Sequence, residues 1–131
     1  MEERIKVLIA EDNEMLRRGL AVFLEDCDDL YMIGTAADGQ EAVEMCLRLN
    51  PDVVLMDVNM PRLNGIAATR VIREQQPHIR IVILTTGFGD WGAKEALAAG
   101  ASAFLLKSIS VQEISDAIRA AYADGRSQPD P

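Results

Sequence analysis

The chain has 131 residues, 49% of them hydrophobic and 26% charged, enough for one domain with a sizeable core and too few for two domains of ordinary size. Its net charge of −8 works against binding a phosphate backbone, which needs clustered Lys and Arg, so this chain by itself is not expected to bind DNA. No apolar run approaches the ~20 residues of a membrane span, and the start Met1-Glu2-Glu3-Arg4 is charged and mixed in sign, unlike a secretory leader; a cytoplasmic protein without membrane association is expected.

In chain order, Ile5 to Ala10 is a β-branched run that stops at Glu11-Asp12-Asn13. A helix from Glu14 to Asp26 follows, with Leu16, Leu20, Val22 and Phe23 at helical spacing. Tyr31 to Thr35 reads as a second strand. Asp38 and Glu41 form a capping box for a helix that turns Ala42, Val43, Cys46, Leu47 and Leu49 inward. Asn50-Pro51 ends it.

Asp52 to Pro61 holds an apolar run, Val53 to Met56, too short for a helix and closed by Asp57. Such a run fits a strand buried on both faces in a parallel sheet. After a loop, Gly65 to Gln75 reads as a helix with Ile66, Ala67, Val71 and Ile72 as its apolar stripe, and Pro77 blocks its continuation. Ile81 to Leu84 is a further buried strand ending in Thr85-Thr86. The segment Gly87 to Gly92 contains three glycines and reads as a mobile loop before an alanine-rich helix to Ala99. Gly100 stops that helix. Ala103 to Leu106 is the fifth strand, with Lys107 at its end. Ser110 and Glu113 cap a final helix carrying Val111, Ile114, Ala117, Ile118 and Ala121, which Asp124-Gly125 closes.

Residues 1–123 therefore read as one domain and 124–131, polar and Pro-containing, as the start of a linker. Strands and helices alternating with short connections specify an α/β three-layer domain with a parallel sheet. Cys27 and Cys46 have neither CxxC spacing nor a neighbouring His and are read as buried reduced thiols. His78, the single histidine, reads as a surface loop residue, and no acyl-transfer triad can be assembled.

Parallel strands place the groups that follow them along one edge of the sheet: Glu11 and Asp12, Asp57, Thr85, Lys107. Alone, Asp57 is a turn aspartate, Lys107 a surface lysine and Thr85 a residue of good β propensity. Together they describe a site. Three carboxylates in one crevice repel unless a cation joins them, and a hard, oxygen-seeking ion such as Mg²⁺ suits. The expected ligands are Asp12 and Asp57, with Glu11 in support and the main-chain carbonyl of Asn59 completing the set. A carboxylate between Mg²⁺ and the Lys107 ammonium can attack an activated phosphoryl group to form an aspartyl phosphate. Lys107 would bind the phosphoryl oxygens from the side opposite the metal, and the Thr85 hydroxyl would contact the same oxygens.

At these residues the chain resembles the receiver (CheY-like) domain of bacterial two-component response regulators over essentially its full length. Asp57 to Pro61 with Asn64-Gly65, and Ala99-Gly100-Ala101 with Phe104 to Lys107, look most like the NarL/FixJ group, whose members usually carry a C-terminal LuxR-type helix-turn-helix. The resemblance implies a flavodoxin-like (βα)5 fold with strand order 2-1-3-4-5. It also implies phosphorylation of Asp57 by a sensor histidine kinase, with Thr85 and Phe104 as switch residues and a homodimer on phosphorylation. DNA would be bound only through a C-terminal domain beyond residue 131. Such a protein is a phosphoacceptor switch rather than an enzyme, compatible with self-phosphorylation from small phosphodonors and with autodephosphorylation.

The alternatives are a stand-alone receiver or a small Mg²⁺-dependent aspartyl-phosphate phosphotransferase. Against the latter, position 59 is Asn where a second acid is needed, and no insertion supplies a cap over a substrate pocket. A flavin-type phosphate binder would need a Ser/Thr- or Gly-rich loop after the first strand, which here is acidic. Two positions depart from the family pattern: Ser108 stands after Lys107 where proline is usual, and Gly87 stands where a bulkier residue is usual.

Overall fold

The computed structural model describes residues 4–86 and 89–127. Five strands and five helices alternate: β1 (Ile5–Ala10), α1 (Glu14–Glu25), β2 (Leu30–Ala36), α2 (Gly39–Leu49), β3 (Val53–Asp57), α3 (Gly65–Gln75), β4 (Arg80–Thr85), α4 (Gly89–Ala98), β5 (Ala103–Leu106) and α5 (Val111–Ser127). The strands form one parallel sheet in the order β2-β1-β3-β4-β5, the flavodoxin-like arrangement.

Alternation along the strands sorts the core into two layers. Leu8, Val54, Met56, Ile81 and Ile83 face a layer with Ala42, Cys46, Ala68, Ile72 and Ala96 of α2, α3 and α4. Val7, Ile9, Val53, Leu55, Val82 and Leu84 face Leu20, Leu24, Ile114 and Ile118 of α1 and α5. All of β3 is buried, Asp57 included, as a central strand covered on both faces requires.

Helix starts are set by side chains that satisfy the first free N–H groups. Asn13, Asp38 and Asn64 accept from Leu16, Glu41 and Ala67 respectively. The Ser110–Glu113 box is reciprocal, with Glu113 N–H to Ser110 Oγ at 3.1 Å and Ser110 N–H to Glu113 Oε1 at 3.4 Å. At α2 the return bond lands one residue early, on the N–H of Ala37 (2.7 Å).

The structure corrects several details of the sequence reading. On α1 the buried residues are Leu20 and Leu24, while Val22 is 69% exposed and Leu16 and Phe23 also face outward; the helix has more apolar residues than its narrow sheet-facing side can cover. On α2 Leu47 is exposed and Leu49 only half-buried. On α3 the buried face is Ala68, Thr69 and Ile72, with Ile66, Ala67 and Val71 at its margins. Gly89 to Gly92 forms the first turn of α4 rather than a loop. The mobility expected there falls in part on residues 87 and 88, and so does the departure at Gly87; both lie outside the described residues, and so does the Trp91 side chain.

α5 runs to Ser127, past Asp124-Gly125 where the sequence reading closed it. Residues 124–127 are thus helix, and 128–131 of the expected linker lie outside the described residues. Cys46 is buried and free, its thiol pushed up to about 12 by burial, and Cys27 is free and half-buried. His78 is exposed, with Nε2 2.6 Å from Asn50 Oδ1. No helix among the described residues is long and apolar enough to cross a membrane.

Candidate phosphoacceptor and metal site

β1 and β3 are hydrogen-bonded neighbours, in register from Val7↔Val53 to Ala10↔Met56. The next residue on each strand is an acid, Glu11 and Asp57, both on the α1/α5 side by alternation and both only 2% exposed. Asp12 follows Glu11 at the exposed rim. One carboxylate oxygen from each of Glu11, Asp12 and Asp57 lies within 4.8 Å of the others.

Lys107 follows β5, separated from β3 by β4. Its backbone N–H is fixed on the Thr85 carbonyl (2.7 Å), and its side chain crosses the end of β4. Nζ lies 3.0 Å from Asp57 Oδ1 and 3.0 Å from Glu11 Oε1. Those two buried oxygens have no other donor among the described residues. The second Glu11 oxygen accepts from Asn13 N–H at 3.1 Å, and Arg17 Nη1 donates to the Glu11 carbonyl at 2.8 Å. No cis peptide bond occurs among the described residues, so Lys107–Ser108 is trans despite the missing proline.

The electrostatics follow from burial and shared charge. Burial pushes the Asp57 carboxyl up; Lys107 and the Asn59 backbone N–H pull it down less strongly, while Asp12 adds to the rise. Burial likewise raises Glu11 against the opposing pull of the Asn13 N–H and Lys107, and Asp57 adds to it. Burial disfavours the Lys107 charge, but the two carboxylates outweigh this and raise its pKa. One ammonium therefore underserves three carboxylates. The donor set fits a hard divalent cation: carboxylate oxygens only, two of them buried, and a rim acid that leaves room for retained water.

Asn59 is exposed, and its backbone N–H lies near enough to the Asp57 carboxylate to pull its pKa down. Its loop is held by Val58 N–H to Leu84 O (3.2 Å) and Gly65 N–H to Val58 O (2.8 Å). Thr85 is 3% exposed at the end of β4, in register with Leu106. Phe104 on β5 is half-buried against the α2/α3/α4 layer, its ring edge about where a Cβ on Gly92 of α4 would touch it, at 3.4 Å.

The structure thus brings Glu11, Asp12, Asp57 and Lys107 together, sets Asn59 and Thr85 beside them, and places Phe104 on the neighbouring strand facing the other layer. Sequence reasoning missed Asn13 and Arg17, which fix Glu11 from both ends. Asn13 carried a signal, as an Asn directly before a periodic helix; Arg17 did not.

Comparison with known proteins agrees with this geometry. Residues 7–119 match the response regulator receiver domain family. The chain is 44% identical over 117 residues to the transcriptional regulatory protein LiaR of Bacillus subtilis, covering 89% of this chain and 56% of that protein. It is 36% identical over 118 residues to the response regulator protein VraR of Staphylococcus epidermidis, covering 90% and 56%. The chain therefore spans little more than half the length of these relatives. Among solved structures, a LuxR-family two-component response regulator from Aurantimonas sp. superposes with a TM-score of 0.89 at 33% identity, over 93% of this chain and 87% of that one. The response regulator domain of Thermotoga maritima CheB does so with 0.86 at 34%, over 98% and 100%.

Proposed function

The chain belongs to the response regulator receiver domain family, and from that premise we propose that Asp57 is its phosphoacceptor, charged by a sensor histidine kinase with Mg²⁺ held by Asp12, Asp57, the Asn59 carbonyl and, in support, Glu11. The supporting observation is the convergence of three carboxylates from β1 and β3 on one lysine from β5.

The Asp57 oxygen forms a bond to phosphorus as the phosphorus bond to the donor, a phosphohistidine nitrogen or an acyl oxygen, breaks and its electron pair leaves with the donor. A bound Mg²⁺ supplies charge neutralisation for the incoming phosphoryl oxygens. Lys107, already on Asp57 at 3.0 Å, exchanges its carboxylate contact for a phosphoryl oxygen, and Glu11 keeps the other side of the ammonium in place. Burial of Asp57 at the end of β3, between β1 and β4, keeps its reactive oxygen in a low-dielectric edge where these charges act strongly. In this reading Thr85 moves to the phosphoryl group and Phe104, beside Gly92 of α4, repacks in response, which alters the surface of α4, β5 and α5.

Residues 1–123, with the remainder of α5, act as the receiver of a longer transcription regulator, continuing through a linker to a helix-turn-helix domain that binds DNA, with phosphorylation promoting a homodimer. A cytoplasmic location goes with this reading. The domain is a switch, not an enzyme.

The test is incubation with acetyl phosphate and Mg²⁺, followed by intact mass measurement. One phosphoryl group, labile to alkali and to hydroxylamine as an acyl phosphate is, is expected, and it should be absent without Mg²⁺ and in Asp57→Asn. An unmodified chain, or one modified equally in Asp57→Asn, overturns the assignment.

A further inference from the structure

The loop between β3 and α3 has a second anchor, on the side away from Lys107. Leu63 N–H donates to the Pro61 carbonyl at 2.7 Å, closing a three-residue turn on Arg62, whose φ is +68°. A turn of this hand is strained for any residue with a Cβ, and glycine is its default occupant. Arg62 occupies it while placing Nε 3.2 Å from Asp38 Oδ2.

Asp38 is a fixed partner. Its side chain is 8% exposed, and its other oxygen accepts the Glu41 N–H at 2.8 Å as the cap of α2. The chain on either side is tied down too: the Ala36 carbonyl accepts the Glu11 N–H at 3.0 Å, and Glu41 Oε1 accepts the Ala37 N–H at 2.7 Å. Alongside, Gly39 abuts Leu63 so closely that a Cβ there would overlap the Leu63 carbonyl. Since β1 lies between β2 and β3, the Asp38–Arg62 pair joins the loops flanking the Glu11–Asp12 end of β1. It brackets the acidic cluster from the edge that Lys107 does not reach.

We propose that Asp38 and Arg62 are positioning residues for the cation site, their ion pair holding the strained Arg62 turn so that Asn59, three residues upstream, keeps its backbone against Asp57. The inference rests on the reading of the site given under Proposed function. Strain held at one residue next to a chemically active loop points to function rather than to stability. With Arg62 74% exposed, the pair adds little to global stability, and this separates its role from that of a fold-holding bridge.

The test compares Mg²⁺ affinity by calorimetry, and metal-free melting temperature, in the parent chain and in Arg62→Ala, Asp38→Asn, the double variant and Arg62→Lys. Alanine keeps the Cβ, and with it the strain of the turn, while losing the exposed guanidinium, and asparagine retains the helix cap, so each single removes the ion pair without touching the core. The dissociation constant should rise about three- to tenfold in each single, short of the losses seen when a ligand's direct partner is removed. The double should be no worse than the worse single, and Arg62→Lys should lie within about twofold of the parent. Melting temperatures should stay within about 2 °C. Parent-like affinity in both singles, additive losses in the double, or a melting loss that tracks the affinity overturns the clamp while leaving the phosphoacceptor reading intact. A parent chain that binds no Mg²⁺ overturns both.

Discussion

Gly65 lies against Asp57 so closely that a Cβ at position 65 would occupy the place of the Asp57 carbonyl oxygen. The contact ties the start of α3 to the last residue of β3, and with it the rotation of α3 that buries Ala68 and Ile72. Gly65→Ala must push the two backbones apart. It is expected to destabilise the domain by about 2–3 kcal/mol, the upper range of overpacking, and to abolish phosphorylation by acetyl phosphate. Chemical denaturation and intact mass measure the two effects.

Asp57 is buried and charged with half of one lysine for company. Its raised pKa means that the folded state binds the proton more tightly than the unfolded state, so its ionisation opposes folding above the unfolded value and the deficit is complete above the folded one. Asp57→Asn should therefore stabilise the metal-free protein at pH 7 by on the order of 1 kcal/mol. At a pH below the ordinary carboxylate range the gain should vanish. Urea unfolding at the two pH values checks this.

Lys107 competes with any cation for Glu11 and Asp57. Lys107→Met should bind Mg²⁺ as tightly as the parent or about tenfold more tightly, while its rate of phosphorylation falls about a hundredfold or more, since a transition-state charge contact is lost. Metal titration and the acetyl phosphate time course separate the two.

Mg²⁺ binding should weaken as pH falls through the raised pKa values of Glu11 and Asp57, at a higher pH than ordinary carboxylates near pH 4 would allow. Titrations between pH 8 and pH 5 are the measurement.

At the opposite end of the sheet Arg119 of α5 makes a two-pronged bond to Asp29, 2.7 and 3.1 Å, joining α5 to the start of β2. The Arg119 hydrogen bond holds the Asp29 carboxyl below its usual value. Its contribution is present above the unfolded pKa and lost as pH falls through the folded one. Both groups are partly exposed, so Asp29→Asn should cost no more than about 1 kcal/mol at pH 7 and nothing near pH 2.

Much of this molecule was legible in the sequence because its signals are local. Val53 to Met56, closed by Asp57, is a central strand wherever it occurs in a parallel sheet, and Asp38 and Ser110 announce their helices by capping chemistry. Strand direction alone then carries Glu11, Asp12, Asp57, Thr85 and Lys107 to one edge. Burial within α1 and α3 was less legible. Val22 and Ala67 sit at helical spacing with core residues, yet the covered side is set by contacts such as Gly65 on Asp57, which periodicity does not contain.

The amino-acid order by itself determined the alternation of elements, the two-sided burial of β3 and the residue types at each strand end, since these follow from backbone periodicity and neighbouring side chains. Only the tertiary structure decided that Lys107 divides its charge between Glu11 and Asp57, and that Arg62 reaches Asp38 across the end of β1. Those pairings depend on how far apart separate strands and loops come to rest. That spacing is set by packing of the whole sheet against its helices, not by any single stretch of chain.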